Sequence, residues 1–322
     1  MQNPTSGIHH ITAIAGDPQR NLDFYAGTLG LRLVKRTVNF DDPGTYHFYY
    51  GDRTGRPGTL LTFFPWAGAF RGRSGAGQAT ETAFAVPAGS LGYWEDRLGA
   101  NQVGGVARRE RFGAPTLRFS DPDGMALELV ESQVAEQWNV HPTSSMPGAA
   151  AIRRFHGTTL TLRGVDATAQ VLTDVLGLVP AGEDGPFRRF APPAGVEGGV
   201  VDLLRDPNAG WGSLGAGSVH HVAWRAADGA QQLRLRGEVL GHSISVTPVV
   251  DRQYFQSIYF REPGGVLFEV ATDGPGFLID EPEATLGESL KLPPQFEAER
   301  AAIEQVLAPI TLPGAKQAPV EA

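Results

Sequence analysis

No cysteine occurs anywhere in the chain, which excludes disulfides, thiolate metal sites and cysteine nucleophiles together. Long apolar runs are missing too. The densest stretch, Leu60 to Trp66, falls far short of the ~20 residues a membrane-crossing helix needs. The opening MQNPTSGIHH has neither the basic region nor the apolar stretch of a secretion signal. Positive charge is scarce, with 27 Lys and Arg against 35 Asp and Glu for a net charge of −8, so the basic face of a nucleic-acid binder is not expected. Glycine (41) and proline (24) are abundant, about a fifth of the 322 residues, and point to many turns and short strands. The chain is 41% hydrophobic and 19% charged, enough to bury packed cores, and its length suggests two domains. A soluble, cytoplasmic, two-domain protein is the expectation.

Four Leu-Gly pairs, Leu29-Gly30, Leu98-Gly99, Leu176-Gly177 and Leu240-Gly241, each close a helix-like segment. In the first, Asp17 can cap a helix that starts at Pro18. Leu22, Tyr25, Ala26 and Leu29 form its apolar face, and Gly30 suits the left-handed position after it. His10 stands twenty residues before Gly30, His221 twenty before Gly241, and Gly157 twenty before Gly177. The last strands also match: Asp121 to Glu128 stands beside Glu262 to Glu269, with Thr62 at the place of Glu269 in the first unit and Asp202 or Leu203 in the third. The pattern predicts an α+β protein of four βαβββ modules, 7–66, 75–133, 152–206 and 217–273. These group into domains 1–140 and 150–275, each a curled, barrel-like mixed sheet with outer helices. The turn-rich segment His141 to Gly148 is the expected boundary. Residues 276–322 form a tail with one helix, from Pro294 to Leu307.

Two His-His pairs, His9-His10 and His220-His221, occupy the same place in the first and fourth modules. With Glu269 they offer two imidazoles and a carboxylate, a set that suits non-haem Fe(II) and also zinc. Neighbouring strand residues point to opposite faces, so only one member of each pair can normally reach a shared ion. The other is left to packing, a hydrogen bond or support of the ligand. Phe48, Tyr50, Phe63 and Phe255 can line an apolar pocket or fill a core. Glu128, on a strand without partner histidines, reads as a solvated or salt-bridged residue.

Together these features resemble the vicinal oxygen chelate superfamily of glyoxalases, extradiol ring-cleaving dioxygenases and antibiotic-resistance binders. Within it, Leu33-Val34-Lys35-Arg36-Thr37-Val38, Tyr46-His47-Phe48-Tyr49-Tyr50-Gly51, Pro57-Gly58-Thr59-Leu60 and the tail from Leu292 to Pro309 are similar to the hydroquinone-cleaving dioxygenases. The resemblance implies iron ligands His10, His221 and Glu269, the register with His10 selecting His221 over His220. It also implies catalytic and substrate-contacting roles for His9, Thr12, His220, Arg252 and Tyr259. The metal site is expected between units one and four. Arg252 and Tyr259 are seven positions apart, so both can face one pocket only if a turn or bulge intervenes.

The resulting expectation is an Fe(II)-dependent extradiol-type dioxygenase that opens a hydroquinone or catechol ring with O2. Mn(II) suits the same ligands. Its partners are a small aromatic and O2, with neither nucleic acid nor membrane, and self-association is compatible with the sequence. The competing readings are a glyoxalase-like isomerase or lyase, disfavoured by Thr62 at the fourth ligand place, and a metal-free aromatic or antibiotic binder, disfavoured by the histidine pairs.

Overall fold

The computed structural model describes residues 4–133, 146–194, 196 and 198–312, so most of the linker from His141 lies outside the described residues. The first unit runs β1 (Ile8–Ala15), α1 (Pro18–Leu22, continued by a π-helical turn Asp23–Thr28), β2 (Arg32–Asn39), β3 (Asp42–Gly51) and β4 (Leu60–Pro65). The second runs β5 (Gln78–Pro87), α2 (Leu91–Ala100), β6 (Ala107–Arg111), β7 (Ala114–Ser120) and β8 (Ala126–Ser132). The third runs β9 (Arg154–Leu162), α3 (Asp166–Gln170, with a π-helical turn Val171–Val175), β10 (Val179–Asp184), β11 (Phe187–Ala191) and β12 (Val200–Arg205). The fourth runs β13 (Ser218–Ala226), α4 (Gly229–Gly241), β14 (Val250–Asp251), β15 (Phe255–Arg261) and β16 (Leu267–Pro275). In the tail a 3-10 segment, Pro294–Glu299, leads into α5 (Arg300–Val306). Ile303 and Leu307 are buried there, and Phe296 packs partly buried against the core.

These strands form two eight-stranded, curled mixed sheets of the α+β class. One has the order β14-β15-β16-β13-β1-β4-β3-β2, the other β10-β11-β12-β9-β5-β8-β7-β6. The units are therefore nested, one with four and two with three, whereas a division into 1–140 and 150–275 follows chain order. The joins are antiparallel pairings of first strands, β1 on β13 and β5 on β9. Within each unit the first strand lies parallel to the last.

The helix ends explain part of the repeat. The Asp17 side chain accepts from the Arg20 amide, Pro18 opens the helix, and Gly30 takes φ +69°, a left-handed angle at which a side chain would be strained. Gly177 does the same in unit three, at φ +71°. Units two and four differ from the expected pattern. Gly99 and Gly241 lie inside their helices, and the left-handed residues are Gln102 and Ser243, beyond the helix ends. No helix among the described residues is long and apolar enough to cross a membrane.

Candidate metal centre and aromatic cavity

Strand register brings three buried side chains together from β1, β13 and β16. His10 Nε2 lies 3.2 Å from His221 Nε2 and 3.3 Å from Glu269 Oε2, and His221 Nε2 lies 2.9 Å from the same oxygen. Glu269 is fully buried, and its Oε2 makes no hydrogen bond of acceptable geometry. Its other oxygen accepts from the Ser257 hydroxyl on β15. Burial alone would raise the Glu269 carboxyl, but His10 and His221 facing it hold it well below the usual carboxylate range. Burial also lowers His221.

The first histidine pair divides as strand alternation requires, whereas both members of the second reach the cavity. His9 turns to the far side of β1, where its Nε2 donates to the Thr272 carbonyl at 3.1 Å, leaving its Nδ1 2.9 Å from His10 Nδ1. Burial and the neighbouring His10 lower the His9 imidazole far below its ordinary value, so it is neutral. A neutral ring that donates through Nε2 accepts at Nδ1. His10 therefore donates through Nδ1, and its Nε2 is directed at His221 and Glu269. In the fourth unit His221 Nδ1 lies 2.8 Å from His220 Nδ1. His220 itself lines the cavity. Burial and His221 lower it to about 4.

Two imidazole nitrogens and a buried carboxylate oxygen converging on one point are the arrangement a cation completes. The three groups are the set of metal-competent donors found among the described residues, and two imidazoles with one carboxylate fit Fe(II) or Mn(II) with positions left open.

The triad floors a cavity of about 460 Å³, walled by Phe40, Tyr49, Phe64, Trp66, Phe255 and Leu267. His220, Arg252 and Tyr259 line it, while His9 and Thr12 do not. Thr12 is buried and bonds Thr62 at 2.8 Å. Thr62 in turn bonds His47 Nε2 at 2.9 Å, and His47 Nδ1 meets the Tyr49 hydroxyl at 2.9 Å. Thr62 pairs with Thr12 as Glu269 pairs with Ala223, so it holds the carboxylate's position in unit one but is tied up in this chain. Of the aromatics considered from sequence, only Phe255 reaches the cavity. Phe48, Tyr50 and Phe63 are fully buried in the core, because alternation sends them to the helix side while His47, Tyr49 and Phe64 face inward.

Arg252 and Tyr259 meet despite their odd spacing. Arg252 lies outside the strand, in the turn between β14 and β15 where Gln253 adopts φ +65°, and its Nε donates to the Tyr259 hydroxyl at 3.1 Å. Its Nη2 reaches Asp41 at 3.4 Å. Burial opposes the guanidinium charge, but Tyr259 and Asp41 outweigh it and raise Arg252. Tyr259, paired with Glu269 across the sheet, is pushed up by burial and by that carboxylate, so its phenol stays protonated.

Glu128 is buried rather than solvated. It accepts from Thr116 and lies 3.6 Å from Arg111. Ser257 and His47 are the site residues that motif reading missed. A serine two positions before Tyr259 has no distinguishing sequence signal, whereas the alternation of His47 with Tyr49 was available.

Residues 7–129 match the family model of the glyoxalase/bleomycin resistance protein/dioxygenase superfamily. The chain is 50% identical over 309 residues, 96% of its length and 98% of the relative's, to "Putative ring-cleaving dioxygenase MhqO" of Bacillus subtilis (strain 168). The chain belongs to this superfamily. Another superfamily relative, chlorohydroquinone/hydroquinone 1,2-dioxygenase of Sphingobium indicum, is 38% identical over 307 residues, covering 92% of this chain and 95% of that protein. A crystal structure of a protein from Bacillus subtilis subsp. subtilis str. 168 superposes with a TM-score of 0.93 at 50% identity, over 97% of this chain and 99% of that one. Glyoxalase I from Zea mays shares the superfamily fold, with a TM-score of 0.62 at 13% identity over 83% and 92% of the two chains.

Proposed function

We propose that the triad of His10, His221 and Glu269 binds Fe(II), and that the cavity above it opens a hydroquinone ring with O2. The bond broken is the one between a hydroxyl-bearing carbon and its neighbour, the extradiol-type position. One observation carries this reading: a two-histidine, one-carboxylate centre opens onto an aromatic-walled cavity while Thr62, in the remaining ligand position, is bonded away to Thr12 and His47. Substrate oxygen and O2 both need coordination positions, and this arrangement leaves them. The name of the Sphingobium relative supports a hydroquinone as substrate. Mn(II) suits the same donors.

Bound by these three residues, Fe(II) would supply Lewis acidity toward a hydroquinone hydroxyl, whose free pKa is ~10, and redox chemistry toward O2. The chain does the rest. Phe255, Tyr49, Phe64 and Trp66 hold a flat ring and exclude water. His220 is neutral, and a His221 that ligates through Nε2 donates its Nδ1 hydrogen to His220 Nδ1, so His220 presents its Nε2 hydrogen to the cavity as a donor to substrate oxygen. Tyr259 offers a phenol hydrogen beside the triad. Arg252 fixes that phenol and adds permanent positive charge where oxygen charge develops. His9 orients His10 from behind.

The test is anaerobic purification, loading with Fe(II) and exposure to hydroquinone and O2. A ring-opened acid is expected. Loaded protein that instead isomerises a hemithioacetal, or binds hydroquinone without consuming O2, refutes the reading.

A further inference from the structure

The second sheet repeats the geometry of the metal centre with a guanidinium at its middle. Register establishes the equivalence. In unit four Glu269 pairs with Ala223, two residues after His221. In unit two Glu128 pairs with Ala83, which places Glu81 at the histidine position. In unit three Asp202 pairs with Thr159, which places Gly157 there. The central joins agree, since Thr12 pairs with His221 in one sheet and Glu81 with Thr159 in the other. Even the support for the carboxylate recurs: Ser257 donates to Glu269 Oε1, and Thr116 donates to Glu128 Oε1 at 2.8 Å. Gly157 cannot be restored to a ligand, because an added Cβ would lie 2.1 Å from the Val200 carbonyl oxygen.

Arg111 occupies the centre. It ends β6, where Phe112 and Gly113 turn the hairpin with φ of +50° and +73°. Its side chain is 8% exposed and lies 3.2 Å from Glu81 Oε2, 3.6 Å from Glu128 Oε2 and 3.8 Å from Asp202 Oδ2. It also donates to Thr159 Oγ1 at 3.0 Å. The counterpart of Arg111 in unit four is Arg252, which precedes Ser257 by the same five positions that separate Arg111 from Thr116. Arg252 turns away, to Tyr259 and Asp41. One buried oxygen is left over: Glu81 Oε1 has no hydrogen bond, and Arg118 comes no nearer than 3.8 Å.

We infer that Arg111 is the built-in cation of a second, pseudo-symmetric site, and that removing its side chain uncovers a divalent-cation site on Glu81, Glu128 and Thr159. Oxygen donors of this kind take hard ions such as Mn2+, Mg2+ or Ca2+. Asp202 is gripped by Arg189 through two contacts of 2.7 and 2.8 Å and adds field more than a ligand. The native chain then holds metal at one centre only, because the other already contains its positive charge.

The test is Mn2+ binding by electron paramagnetic resonance in a His10→Ala background, where the first centre is broken. His10→Ala is expected to bind no Mn2+, and His10→Ala/Arg111→Ala one per chain, lost again on adding Glu128→Gln. Arg111→Lys, which keeps a cation in place, is expected to bind none at this site. A folded double variant without bound Mn2+ overturns the inference. Should the double variant unfold, refolding decides: recovery in Mn2+ but not in Na+ supports the site, and failure in both overturns it. None of these readouts depends on ring cleavage.

Discussion

The Nδ1 atoms of His9 and His10 lie 2.9 Å apart, and this contact turns His10 Nε2 toward His221 and Glu269. His9 is anchored by the Thr272 carbonyl and is neutral, so it accepts and His10 donates. Replacing His9 by alanine is expected to weaken metal binding by ~10–100-fold, the usual loss when a ligand's supporting partner goes. His220→Ala removes the equivalent partner of His221 and also the imidazole in the cavity. It should therefore lower turnover of the metal-loaded protein as well as metal affinity, whereas His9→Ala changes mainly affinity. Metal titration alongside kcat at saturating metal separates the two.

Tyr259 separates catalysis from metal holding. Its hydroxyl is bonded to Arg252 and touches no triad atom at hydrogen-bond distance. Tyr259→Phe should retain the metal and lose roughly 100–1000-fold in kcat, the loss expected for one donor to developing charge. Metal content measured beside turnover checks this. Unchanged turnover would reduce the residue to packing.

Much of this site was legible from spacing. The twenty-residue interval from His10 to Gly30 and from His221 to Gly241 reports one strand-helix unit used twice, so equivalent histidines emerge at equivalent strand positions. Which units share a sheet was not legible from local pattern, since the β1–β13 join is made between residues more than 200 positions apart. Ser257 and Arg111 were invisible for the same reason: each acts through a cross-strand neighbour rather than a motif. Asp202, left open against Leu203, is resolved by its pairing with Thr159.

Lys35, in the Leu33 to Val38 stretch, is fully buried and clamps the segment after β16 onto β2. Its ammonium bonds Asp280 at 2.6 Å and also Glu281. Removing one partner of a buried charge cluster costs about 3–5 kcal/mol, because the remaining charges stay buried. Lys35→Met should lower the urea midpoint accordingly, and adding Asp280→Asn and Glu281→Gln should recover much of the loss.

His156 on β9 supplies an acid-side instability away from the metal centre. Burial, then Arg189, Arg111 and Arg154, lower it to about 4 against the opposing pull of Asp202. The unfolded chain takes up this proton near pH 6.5 and the folded chain does not. Stability is therefore undiminished above pH 6.5 and falls as pH drops toward 4, by roughly 3 kcal/mol in all. His156→Phe should flatten the urea midpoint between pH 6.5 and 5 relative to the parent protein.

The most direct test of the central claim is the fate of isotopic oxygen. Fe(II)-loaded protein is given hydroquinone under 18O2, and the ring-opened product is weighed by mass spectrometry beside a Glu269→Ala control. A ring-cleaving dioxygenase acting at the triad places both oxygen atoms of one O2 molecule in the product, with no product from the control. Product without 18O, its added oxygen drawn from water, or equal product from Glu269→Ala, would contradict it.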